Sequence, residues 1–311
     1  RAYSAVLCGP SRLIGFRDKN GFRPLCIGKL NNSYIITSES CVIDSLGGEF
    51  LRDVEPGEMV VIDETGFHSY KSRIKAYNTS MCIFEYVYVA RPDSVIDGQS
   101  VHDARFMMGR ILAKESGFKG DVVISVPDSG TTAATGFAYE SGIPFVEGLI
   151  KNRYIGRTFI QPTQKKRDTA VKLKLNPIVS AVRGKNVIMV DDSIVRGTTS
   201  GKIVHMLRKA GAKSIHMCVS SPPIGYPCYY GIDTSIRKEL IAATKTVDEI
   251  RKYIGADSLH FLSLEGLKKS IKDADSNDMC YACFNNYYPV EGPKGDTVGN
   301  DKYVFEHAKN R

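Results

Sequence analysis

Two adjacent carboxylates followed by a bend of glycine and hydroxyl residues form the most chemically pointed stretch of this sequence. It reads Val187-Ile188-Met189-Val190-Asp191-Asp192-Ser193-Ile194-Val195-Arg196-Gly197-Thr198-Thr199. The apolar run Asn186–Val190 predicts a buried parallel strand that delivers Asp191 and Asp192 at its carboxyl end, the edge at which open α/β sheets bind ligands. Thr199–Ala210 predicts a helix, stopped at Gly211. Between them, backbone N–H groups and the hydroxyls of Ser193, Thr198 and Thr199 can surround a phosphate at the helix N-terminus. Gly197 lets that phosphate come close to the backbone. The carboxylates repel it; they suit vicinal hydroxyls, or Mg²⁺ through water. Carboxylates beside a phosphate cradle describe a ribose 5-phosphate site. An ordinary strand-to-helix turn with an acidic cap is the competing reading, and the length of the pattern weighs against it.

Three further groups of residues could take part in chemistry. Val126-Pro127-Asp128-Ser129-Gly130-Thr131-Thr132 follows the apolar run Asp121–Val126 and is a second small-residue loop, able to form an anion nest; a plain turn explains it equally well. Between Lys151 and Lys174, eight Lys or Arg face a single acid, Asp168. Such a segment is either a solvated loop or a clamp for a polyanionic small molecule. Cys280-Tyr281-Ala282-Cys283 is a C-x-x-C pair, open to zinc, redox or accidental readings by spacing alone.

The elements that must position these groups fall into two styles. Up to about residue 75, short strands alternate with turn signals: Leu13–Arg17, Asp18-Lys19-Asn20-Gly21, Arg23–Gly28, Asn31-Asn32-Ser33, Tyr34–Ser38, Pro56-Gly57, Glu58–Asp63 and Thr65-Gly66. Asn-Gly and Asn-Asn are hairpin chemistry, so this part predicts antiparallel sheet. From about residue 80, strands alternate with helices (Val101–Ser116, Asp121–Val126, Ala133–Ser141, Ile143–Ile150, Ile215–Ser220), which predicts a parallel α/β sheet. Asp248–Lys272 reads as mainly helical, and the polar, glycine-bearing stretch after Pro289 as a loose tail. With 311 residues, 42% hydrophobic and 24% charged, the chain suits one or two soluble domains. No apolar run is long enough to span a membrane. The net charge of +8 is not arranged as a stripe of basic residues interleaved with aromatics, which argues against nucleic acid as partner. Eight cysteines in this length suit a reduced compartment, with Cys8, Cys26, Cys41 and Cys218 as small core residues.

The acidic strand end resembles the phosphoribosyl pyrophosphate (PRPP) fingerprint of type I phosphoribosyltransferases. Together with Lys151-Asn152-Arg153-Tyr154-Ile155-Gly156-Arg157-Thr158-Phe159-Ile160 and Phe84-Glu85-Tyr86-Val87-Tyr88-Val89-Ala90-Arg91-Pro92-Asp93-Ser94, it resembles the glutamine PRPP amidotransferase family, from about residue 1 to about residue 290. The resemblance implies an α/β type I phosphoribosyltransferase fold at 76–270. Before it, at 1–75, would come the antiparallel later portion of an Ntn-hydrolase α+β sandwich. A cysteine-bearing segment at 271–290 and a tail at 291–311 would follow. The implied PRPP contacts are Asp191, Asp192, Ser193, Ile194, Val195, Arg196, Gly197, Thr198 and Thr199, with Asp128, Ser129, Gly130 and Thr131 on pyrophosphate. Mg²⁺ would be associated with Ser129, Asp191 and Asp192. The basic segment would be a lid that closes over PRPP and excludes water, with Lys151, Tyr154 and Arg157 as its catalytic contacts. One branch of the family carries a [4Fe-4S] cluster on cysteines whose contexts match Cys82, Cys228, Cys280 and Cys283 here.

The implied activity is the first step of de novo purine synthesis: glutamine or ammonia and PRPP give 5-phosphoribosylamine and pyrophosphate. Family members generate ammonia with an N-terminal cysteine. This sequence begins Arg1-Ala2-Tyr3, so it reads as a fragment or processed form without that nucleophile, and Cys8, inside a strand, cannot replace it. The competing functional readings are a PRPP- or purine-sensing regulator without turnover and a base-salvage enzyme. The resemblance also implies purine nucleotide inhibitors and a homo-oligomer. Its location would be the cytoplasm, with a plastid left open by the missing start.

Overall fold

Strands form before residue 71 where the turn chemistry asks for them, but they divide between two antiparallel sheets. The computed structural model describes residues 2–71, 79–152, 175–271 and 279–290. The first sheet has the order β1 (Ser4–Cys8), β2 (Leu13–Arg17), β6 (Glu58–Asp63), β7 (Gly66–Lys71); the second has β4 (Ser33–Thr37), β3 (Cys26–Leu30), β5 (Glu49–Asp53). Helix α1 (Ser40–Ser45), which the sequence patterns do not signal, packs on the second sheet. Leu25, Ile27, Val54 and Val60 form the core where the sheets meet.

The predicted hairpins hold at Asn31-Asn32, where Leu30 pairs with Ser33, and at Thr65-Gly66, where Asp63 pairs with Gly66. The Asn20-Gly21 turn is different. It carries the chain from β2 in one sheet to β3 in the other, so it is a crossover and not a hairpin. The Asp18 side chain closes the crossover by accepting from the N–H groups of Asn20 (2.9 Å) and Phe22 (3.0 Å). Buried Arg17 fixes its base, donating to the carbonyls of Gly21, Arg23 and Val54 while pairing with Asp97 at 2.9 Å. Cys8 also departs from expectation. It is exposed, at the end of the edge strand β1, whose last three residues are all exposed.

The chain divides into two compact units. One comprises Arg1–Ala104, Tyr226–Arg237 and Ile271–Arg311; the other comprises Arg105–Gly225 and Lys238–Ser270. The second unit is built on a parallel sheet with the order β8 (Val122–Ser125), β11 (Asn186–Asp191), β12 (Ser214–Val219), β13 (Ser258–Phe261). Strand β8 is buried throughout and β11 from its second residue on, as a parallel strand covered on both faces requires. Val187, Met189, Ile203, Leu207, Ile215 and Met217 belong to its core. Helix α2 (Val101–Ser116) enters this unit at Arg105, and α3 (Thr131–Ser141) and α4 (Thr198–Lys209) follow β8 and β11.

Two predicted elements need correction. Within Asp248–Lys272, read as mainly helical, a strand divides two helices: α5 (Val247–Ile254) ends at Gly255 with φ +76°, β13 follows as the fourth parallel strand, and α6 (Leu264–Lys269) comes after it. A four-residue strand between two helices is too short to interrupt a helical pattern visibly. Of Ile143–Ile150, only Phe145 bridges the parallel sheet, beside Val123. The regular strand there is β9 (Leu149–Lys151), paired antiparallel with β10 (Leu175–Pro177). The described residues contain no helix long and apolar enough to cross a membrane.

Candidate functional site

Strand β11 ends with Asp191, and Asp192 follows it, both buried. The backbone around them is tied on both sides. Val126 N–H donates to the Val190 carbonyl, and Ser220 N–H to the Asp191 carbonyl, each at 2.9 Å. Ser193 Oγ donates to Asp192 Oδ1 at 2.5 Å, and Ser129 Oγ donates to Asp192 Oδ2. The two loops that the sequence singles out therefore meet at one carboxylate.

Gly130 allows this meeting. A Cβ there would lie 2.8 Å from the Val190 carbonyl oxygen and 2.9 Å from that of Val126. Neither is a flexible side-chain tip, so only a glycine brings the loop after β8 this close to the end of β11. Thr131, at the start of α3, shares a hydrogen bond of 3.2 Å with Ser125. Asp128 is exposed and pairs with Lys151 at the end of β9.

The bend after Asp192 is anchored from below and open above. Ile194 is buried in the core, and the Val195 carbonyl accepts from Ile241 N–H at 2.9 Å. Arg196 pairs with Glu239. Gly197 has φ +75° and directly precedes α4, and Thr198 and Thr199 at the start of that helix are exposed. This is the arrangement that favours an anion at a helix N-terminus.

Electrostatics separate the carboxylates from the rest. Burial pushes the Asp191 carboxyl well above its ordinary range, and neighbouring Asp192 adds to the rise. Burial raises Asp192 as well, against hydrogen bonds from Ser129 and Ser193 and the charge of Arg105. Two buried carboxylates side by side accept hydroxyl donors or a cation far better than they accept each other's charge. Arg105 is a contributor that sequence reasoning missed. The available signal was a lone arginine inside the apolar stripe of α2. Ser125 and Glu239, also missed, carry no local sequence signal. Tyr154 and Arg157 lie outside the described residues.

A second constellation lies in the other unit. The short strand Met81–Cys82 pairs in parallel with Met279–Cys280, setting Cys82 beside Cys280. Tyr226 N–H donates to the Cys283 carbonyl at 3.2 Å, and Tyr230 N–H to Cys228 Sγ at 3.3 Å. All four are free thiols, and they line one pocket of about 350 Å³, open solvent included, with Phe84, Tyr230, Ile232, Thr234 and Ala282. Burial pushes the Cys82 and Cys283 thiols well up and that of Cys280 to about 11. Among the described residues, no three of His, Cys, Asp and Glu converge closely enough to hold a single ion.

Residues 96–226 match the phosphoribosyl transferase domain family. The amidophosphoribosyltransferase of Archaeoglobus fulgidus is 53% identical over 293 residues, which cover 94% of this chain and 64% of that protein. A solved glutamine PRPP amidotransferase from Bacillus subtilis, complexed with ADP and GMP, superposes with a TM-score of 0.86 at 51% identity, over 94% of this chain and 65% of its own. A solved allosteric regulatory enzyme of purine biosynthesis gives a TM-score of 0.87 at 50% identity, over 97% of this chain and 65% of its own. The chain thus spans less than two thirds of the length of each.

Proposed function

We propose that this chain, an enzyme of the phosphoribosyltransferase and glutamine amidotransferase kind whose type I phosphoribosyltransferase fold follows antiparallel sheets in sequence, acts as an amidophosphoribosyltransferase in the first step of purine synthesis. The observation that carries this reading is the buried Asp191–Asp192 pair at the end of β11, bonded to Ser129 of one anion loop and followed by the other.

Asp191 and Asp192 accept hydrogen bonds from the vicinal ribose hydroxyls, and Ser193, Ile194, Val195, Arg196, Gly197, Thr198 and Thr199 wrap the 5-phosphate at the start of α4. Asp128, Ser129, Gly130 and Thr131 hold pyrophosphate. The nitrogen lone pair of ammonia attacks C1, the C1–oxygen bond breaks, pyrophosphate leaves with that electron pair, and the surplus ammonium proton passes to solvent. Lys151 sits within reach of this loop through Asp128. It is the described member of a lid whose other candidate contacts are Tyr154 and Arg157. Oxygen donors from Asp191, Asp192 and Ser129 suit Mg²⁺, which prefers carboxylates, water and substrate phosphates. When bound, that ion would neutralise charge on the departing pyrophosphate. In this reading residues 76–270 perform the transfer and 1–75 belong to the glutamine-hydrolysing part, whose cysteine nucleophile we place outside this chain. Glutamine is then the nitrogen source of the longer protein, and ammonia is the one to use with this chain. The ADP and GMP on the Bacillus subtilis relative support purine nucleotides as inhibitors.

We further assign Cys82, Cys228, Cys280 and Cys283 to a [4Fe-4S] cluster. The four thiols line one pocket. Thiolates are the ligands that such a cluster takes. When bound, the cluster would staple three chain segments together.

The test is pyrophosphate release from PRPP and Mg²⁺ with and without ammonia. Ammonia-dependent release that is lost in Asp191→Asn/Asp192→Asn supports the assignment. Tight PRPP binding without release would instead leave a sensor. Anaerobically purified protein should contain about four iron and four sulfide per chain; zinc in their place refutes the cluster.

A further inference from the structure

Beside the cysteine pocket lies a charge couple that PRPP chemistry does not use. Arg23 Nη1 and Glu85 Oε1 are 2.5 Å apart, with side chains only 18% and 4% exposed. The Arg23 guanidinium packs against Gly231, where a Cβ would meet Nη2 at 3.1 Å. The Arg23 carbonyl accepts from Arg17 Nε at 2.9 Å. The preceding residue, Phe22, stacks on Tyr230 at 4.2 Å and accepts from Cys82 N–H at 3.1 Å. Glu85 follows Cys82 closely in the same segment. The couple is thus tied to segments that carry the thiols.

Both charges are therefore fixed in the wall that bears the thiols: the Arg23 guanidinium lies against Gly231, close in sequence to Cys228, and Glu85 pairs with it from the segment of Cys82.

We propose that Arg23 and Glu85 are positioning charges that set how readily the group held by Cys82, Cys228, Cys280 and Cys283 gives up an electron. The proposal rests on the iron–sulfur reading above. Removing an electron makes the thiolate-ligated cluster more positive. In a low-dielectric wall a fixed cation raises the cost of that step and a fixed anion lowers it. Arg23 therefore protects the cluster from oxidation, and Glu85 moderates that protection. Dioxygen is the oxidant: one electron passes to it, giving superoxide, and no bond to the chain forms.

The experiment uses the full chain, purified anaerobically with its cluster. Iron and sulfide are measured first, then the first-order loss of cluster absorbance in air-saturated buffer. Arg23→Gln should bleach at least about tenfold faster than wild type. Glu85→Gln should bleach several-fold more slowly, and Arg23→Lys should stay near wild type. The opposite signs matter, because a merely structural role would loosen the pocket and speed loss in both Gln variants. Should Arg23→Gln fail to fold, Glu85→Gln still decides: slower loss supports the couple. Equal rates, or faster loss in Glu85→Gln, overturn it. Wild-type protein without iron and sulfide would overturn the cluster reading itself, and a cluster with the wrong rates overturns only this proposal.

Discussion

Asp191 and Asp192 are buried where water cannot solvate both charges, and in the proposed function a ligand takes up that burden. A carboxyl whose folded pKa is raised keeps a proton that the unfolded chain has already lost. Its stability contribution therefore falls as pH rises from the ordinary carboxylate value, about 3.9, through the raised one, and is neutral below both. Asp191→Asn removes that penalty. We expect the variant without ligand to be more stable than wild type at pH 7, and the gap to close by about pH 4. PRPP affinity should drop roughly 10- to 100-fold, as lost charge-assisted hydrogen bonds require. Denaturant midpoints at both pH values and calorimetric titration with PRPP measure this; an Asn variant no more stable at pH 7 than wild type contradicts it. Gly130 answers to a different force. Gly130→Ala presses a methyl into two backbone carbonyls and should lower stability by about 1–3 kcal/mol, with PRPP binding weakened in the same protein.

Elements differ in how openly the sequence announces them. Strands joined by Asn31-Asn32 and Thr65-Gly66 were legible, because local turn chemistry fixes their register. The β11 strand and its acidic end were legible because an apolar run and a motif coincide. Strand β13 was not: Ser258–Phe261 gains its identity from pairing with β12, which no local pattern encodes. Arg17 reads as a strand-end cation, yet tertiary contacts make it a buried pin. Cys82 and Cys228 stand apart in sequence, so spacing does not join them to the C-x-x-C pair; the resemblance does, and the fold sets all four around one pocket. Between the two antiparallel sheets, Glu58 of β6 is another such contact. Burial would raise its pKa, but a fork from Arg52 of β5 (2.6 and 2.8 Å), Ser69 Oγ and Glu55 N–H hold it at about 2. A lowered folded pKa stabilises above the ordinary value of 4.5 and is lost as pH falls towards about 2. Glu58→Gln should therefore cost roughly 1.5–3 kcal/mol at pH 7, with the difference from wild type shrinking through that window. A difference that stays constant from pH 7 to pH 2 rules out the ionised fork as its cause.

At the scale of the whole molecule, each compact unit carries one of the two candidate constellations. The residues proposed to hold PRPP, Asp128–Thr131 and Asp191–Thr199, lie in the unit of Arg105–Gly225 and Lys238–Ser270, and the four thiols lie in the other. A ligand that binds only the folded state stabilises by RT ln(1 + [L]/Kd), which is about 2.7 kcal/mol at a hundredfold excess over Kd. PRPP with Mg²⁺ should therefore raise the unfolding transition of the parallel-sheet unit. Iron chelation under air should lower that of the unit with the antiparallel sheets, where the proposed cluster would join segments remote in sequence. Scanning calorimetry of four samples, with and without PRPP and with and without the cluster, reads both effects. Two transitions, each answering to one ligand, are the expected result. One transition that moves with both ligands would mean that the units unfold as a single cooperative body. A PRPP response in the cysteine-bearing unit would place the sugar phosphate at the wrong constellation and undo the assignment of β11.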